Sequence, residues 1–64
     1  MKVYRKHIGR SVMVQFNEGK MEGILVDIEN TDRFAKVFFL LDRTLLTVEF
    51  DQILNVGKMI EIKS

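Results

Sequence analysis

From Ser11 onward the apolar residues recur at every second position, in short runs separated by residues that favour turns. Val12, Val14 and Phe16 alternate with Met13 and Gln15, the period of a strand with one buried face. Asn17-Glu18-Gly19 predicts a tight turn. A second strand is expected from Lys20 to about Glu29. Its apolar face changes phase at Gly23, which groups Ile24, Val26 and Ile28 and predicts a bulge or bend at the glycine. Asn30 to Arg33 forms the next turn, and Ala35 to Leu41 reads as a third strand, apolar on both faces. Asp42-Arg43 is a tight connection to a fourth strand, Thr44 to Phe50, with Leu46, Val48 and Phe50 on one face. A single short turn at Asp51–Ile53 leads to a fifth strand that starts at Leu54–Val56 and alternates again from Lys58 to Lys63. Ahead of the strands, Val3, Tyr4 and Ile8 form an apolar stripe that predicts a short helix over residues 2–8, ended by Gly9. The expected fold is all-β: a five-stranded small antiparallel barrel with a short N-terminal helix, one domain over residues 1–64.

A chain of 64 residues holds one core and buries only about 60% of its unfolded surface. Such chains often depend on disulfides or a metal. With no cysteine and one histidine neither is offered here, so stability must come from dense apolar packing, from association, or from both. The longest apolar run, Val37-Phe38-Phe39-Leu40-Leu41, is far below the ~20 residues of a membrane helix, and residues 1–17 hold no secretory apolar core. The expectation is a cytoplasmic protein without a membrane partner. In a one-layer barrel, a strand apolar on both faces must expose one of them. Either Val37, Phe39 and Leu41 are core and Phe38 and Leu40 face outward, or the reverse, and an outward apolar row marks an interface unless another element covers it.

The net charge of +1 is unevenly placed. Lys2, Arg5, Lys6 and Arg10 give residues 1–17 a charge of +4 without any acid, whereas six bases and nine acids give residues 18–64 a charge of −3. A basic segment ahead of an acidic body is one signature of a polyanion-facing end. Nucleic acid would be held by Lys2, Arg5, Lys6 and Arg10, with Arg33 in the turn before the third strand. Tyr4 and Phe34 are the candidates for base stacking.

Residues 8–29, from Ile8-Gly9-Arg10-Ser11-Val12 through Gly19, Gly23, Leu25 and Ile28 to Glu29, resemble the first motif of the Sm, Sm-like and Hfq family: alternating apolar residues, a glycine turn, a second glycine, apolar residues and an acid. Other SH3-like barrels, including the small YolD-like proteins, share this pattern. The resemblance implies an SH3-like, Sm-like barrel, and in Sm-type proteins neighbouring subunits pair their strand edges into rings. The stretch where that family normally holds RNA reads Val48-Glu49-Phe50-Asp51-Gln52-Ile53-Leu54-Asn55-Val56 here, with acids at the ligand positions.

Enzymatic chemistry finds little support. His7 is the only histidine and stands beside Arg5 and Lys6, and Gly19-Lys20-Met21-Glu22-Gly23 lacks the spacing of a phosphate-binding loop. Asp27, Glu29 and Asp32 lack the ligand pattern of a calcium site and read as a solvated strand end. No cofactor, metal or small-molecule substrate is expected. The expected function is a non-enzymatic binding module or regulator that acts through protein–protein contacts and self-associates. Its interface would draw on Val37, Phe38, Leu40, Met59, Ile60 and Ile62. RNA or DNA binding through the basic N-terminal segment is the alternative.

Overall fold

A computed structural model describes residues 3–29 and 33–60. Five strands form one antiparallel sheet: β1 (Arg10–Phe16), β2 (Gly19–Ile28), β3 (Phe34–Phe39), β4 (Thr44–Glu49) and β5 (Ile53–Met59). Their spatial order is β4-β3-β2-β1-β5, so β4 and β5 are its two edges and the sheet is not closed. The all-β antiparallel expectation is therefore met. The N-terminal helix is not: the described residues carry only a 3-10 turn at Arg5–His7. Without a full helical turn of i→i+4 bonds, the segment is held by a local cap, in which the Tyr4 N–H donates to His7 Nδ1 at 3.0 Å.

Inner-face side chains come from every strand. Val12 and Val14 meet Leu25 and Ile28, Ala35, Val37 and Phe39, Val48 and Ile53, with Val3 closing one end. Val48 and Ile53 lie on opposite edge strands yet join the same cluster, so the sheet curls around its inner face. The 3-10 turn at Phe50–Gln52 draws the two edges together at that end. Its Phe50 N–H donates to the Arg33 carbonyl at 3.0 Å, and Gln52 Nε2 donates to the Gln15 carbonyl at 3.2 Å. Phe16 and Phe39 pack as tilted rings 5.6 Å apart.

The bend in β2 is displaced from its expected place. Gly23 keeps the alternation with Met21 and Leu25, and the register breaks between Leu25 and Asp27, where Val26 is the extra residue opposite β3. The bulge turns Val26 outward and returns Ile28 to the core, so the core pair is Leu25 and Ile28 rather than Ile24, Val26 and Ile28. Gly23 has a different role: it lets β2 approach β3, because a Cβ there would lie 2.9 Å from the Phe38 carbonyl oxygen and 3.0 Å from Phe39 Cδ1. In β3 the core residues are Ala35, Val37 and Phe39, which settles the face of this doubly apolar strand. The strand stops at Phe39, two residues short of the expected Leu41, because Leu40–Arg43 turn the chain into β4. Arg43 adopts a φ of 53°, left-handed for a residue with a Cβ.

Two substitutions test these points. Gly23→Ala should destabilise by about 1–3 kcal/mol in urea unfolding, since the Phe38 backbone must give way. Arg43→Gly should stabilise by up to about 1 kcal/mol, the cost of a left-handed residue less the added freedom of the unfolded glycine.

Candidate functional site: the open edges of the sheet

Both edge strands expose apolar side chains. In β4 only Val48 is buried; Leu45 and Leu46 are 52% and 44% exposed. The reason is positional. Leu46 stands opposite Val37 and faces inward, but β5 does not pair with β4, so its flank is open. A cavity of about 250 Å³ opens between Leu46 and the β1–β2 hairpin, at Phe16, Met21 and the Glu18–Lys20 turn. Leu45, opposite Phe38, points to the outer face. On the other edge β5 carries two register irregularities against β1, and Leu54 and Met59 are exposed. Natural sheets usually guard such edges with prolines, lysines, short strands or cover. β4 has six residues, with neither proline nor lysine among them.

The predicted interface residues separate into several places. Val37 is buried in the core and offers a partner no side-chain surface. Phe38 is half-buried on the outer face of β3, Leu40 is exposed in the following turn, and Leu41, expected in the core under one reading, is 87% exposed. Met59 is exposed on the edge strand β5 and Ile60 is half-buried just beyond it. Ile62 lies outside the described residues. Sequence reasoning missed Leu45 and Leu54. The signal for Leu45 was its place beside Leu46: two adjacent leucines on one strand must face opposite sides.

Three of the predicted basic residues, Arg5, Lys6 and Arg33, have a partner within the chain. Arg5 Nη1 lies 3.9 Å from Asp27 Oδ1, both exposed. Lys6 Nζ sits 5.5 Å from the Tyr4 ring centroid, and the Arg33 guanidinium 5.9 Å from that of Phe34. Arg10 is half-buried in β1, in register with Met59, and its Nε has no hydrogen-bond partner. Lys2 lies outside the described residues, as does Asp32. Glu29 sits 3.8 Å from Lys36, and Asp27 accepts the Ile28 N–H at 2.8 Å. Among the described residues no group of three or more His, Asp or Glu side chains is placed to hold a metal ion, and no helix is long and apolar enough to cross a membrane.

Comparison with family models, curated proteins and solved structures finds no match.

Short RNA or DNA should bind no tighter than about 10⁻⁴ to 10⁻⁶ M at physiological salt, the non-specific range. Arg5→Ala/Lys6→Ala should leave the salt slope within about one unit of wild type. Tight binding that this double change abolishes would contradict the assignment of these cations to intramolecular contacts.

Proposed function

We propose that the chain is a non-enzymatic binding module that acts through protein–protein contacts at its two sheet edges, with copies of itself as the first occupant. The observation that carries this reading is the unguarded β4 edge with Leu45 and Leu46 exposed. An added strand would satisfy the unpaired backbone groups of the edge and cover those leucines at once, and burying a leucine fully is worth about 1.5–3 kcal/mol. β4 and β5 are different strands, so pairing β4 of one copy with β5 of the next is a head-to-tail contact that repeats until a ring closes. The resemblance of residues 8–29 to Sm-type proteins, whose rings pair edges in this way, points in the same direction.

Sedimentation equilibrium tests the reading. Wild type should pass beyond twice the 7.5 kDa monomer mass as concentration rises. Leu45→Lys/Leu54→Lys, which places a charge on each edge, should not exceed a dimer while keeping the far-UV spectrum of wild type. A wild type that never exceeds a dimer, or a double variant that assembles as wild type does, would overturn it.

A further inference from the structure

The backbone groups of β4 that face away from β3 are not all open. Arg33 and Phe50 stand one step beyond the Phe34–Glu49 pair, and the Phe50 N–H donates to the Arg33 carbonyl at 3.0 Å. In an antiparallel ladder, hydrogen-bonded and non-hydrogen-bonded pairs alternate. That bond therefore commits Thr44, Leu46 and Val48 to β3, and it turns the N–H and C=O of Leu45, Thr47 and Glu49 toward the outer edge. Among the described residues nothing pairs with the outward groups of Leu45 and Thr47. Glu49 differs. Its N–H donates to Gln52 Oε1 at 2.9 Å, and Gln52 Nε2 donates to the Gln15 carbonyl of β1 at 3.2 Å. The Gln52 carboxamide thus supplies one acceptor and one donor, as a peptide group does, and it lies where a peptide of an added strand would meet Glu49.

We infer that Gln52 is a stop that sets the length and register of strand addition at the β4 edge. The inference rests on the edge pairing proposed above and specifies it. With the Glu49 N–H already answered, an added strand finds open outward donors only at Leu45 and Thr47. These residues stand two apart, so the lane takes a partner segment of about three to five residues. A longer segment would have to displace the Gln52 amide, which would leave the Gln15 carbonyl without its donor as well. The stop also discriminates between registers. A register whose hydrogen-bonded pairs fall on Leu45 and Thr47 satisfies both. One shifted by two residues toward Phe50 gives up Leu45 and meets a Glu49 N–H that is already taken. The permitted register is also the one that brings the partner beside the exposed Leu45 side chain.

Backbone esters test this, because an ester removes one N–H donor and leaves the side chain in place. The full chain is made by chemical synthesis with a single ester replacing the amide N–H of Leu45, Thr47 or Glu49, and association is followed by sedimentation equilibrium. The esters at Leu45 and Thr47 should each weaken association by about two- to tenfold, the worth of one net hydrogen bond. The ester at Glu49 should leave it within about twofold of wild type. Gln52→Met removes the stop, and in that chain the Glu49 ester should weaken association by about two- to tenfold. Gln52→Glu keeps an acceptor for the Glu49 N–H, and there the Glu49 ester should again be neutral. If thermal melts show Gln52→Met unfolded, the Glu49 ester in wild type and in Gln52→Glu decides. A Glu49 ester that weakens association in either of those chains as the Leu45 and Thr47 esters do, or that has no effect in folded Gln52→Met, would overturn the inference and leave edge pairing standing. Esters at Leu45 and Thr47 without effect, or a chain that does not associate, would overturn the edge reading and this inference with it.

Discussion

Among the described residues a single layer of five strands has no α-helix or second sheet to cover its apolar face, so that face must cover itself. A shared core accomplishes this: Val48 and Ile53 belong to opposite edges of the sheet but join one cluster with Val14, Leu25, Val37 and Phe39. The rest of the structure follows from it. The sheet must bend, and the bulge at Val26 and the two irregularities in β5 supply curvature. β2 and β3 must approach closely at the centre, which a glycine at position 23 permits. The chain must pass from β4 to β5 in very few residues, and the 3-10 turn at Phe50–Gln52 does so while tied to β1 and β3 by Gln52 and Phe50.

The same curl explains the surface. Leu46 lies on the inner face of β4 yet remains exposed, beside a cavity that it shares with the β1–β2 hairpin. Apolar groups that would be core in a closed sheet are thereby left beside unpaired backbone. For a chain with no cysteine or proline, the proposed association at these edges would also answer the stability problem of its size: strand addition would extend the sheet and complete the burial that one copy leaves unfinished. The function proposed here and the marginal size of the domain thus have one physical origin.

Much of the fold was legible because strand periodicity is a local signal. The alternation in Val12–Phe16, the turn at Asn17–Gly19 and the pairing of Leu46 with Val48 are each set by neighbouring residues. What was not legible depends on contacts distant in sequence. The phase change in β2 was expected at Gly23, whereas the register against β3 puts it at Val26, and only the partner strand reveals which residue is extra. The core face of β3 was ambiguous for the same reason, since a strand apolar on both sides carries no internal sign of which side is in. The N-terminal stripe of Val3, Tyr4 and Ile8 suited a helix, yet Val3 finds its burial against the core from a single 3-10 turn. At the surface, the basic segment was readable as charge, but its pairing of Arg5 with Asp27 required the fold.

Hydrogen exchange followed residue by residue across a range of protein concentrations addresses the central claim most directly, because it reads the unpaired backbone groups of the edges themselves. The account predicts that amides of β4 and β5 gain protection as concentration rises, while those of β2, already paired on both sides, change little. Edge amides that exchange at one rate at every concentration, with the chain otherwise folded, would contradict it.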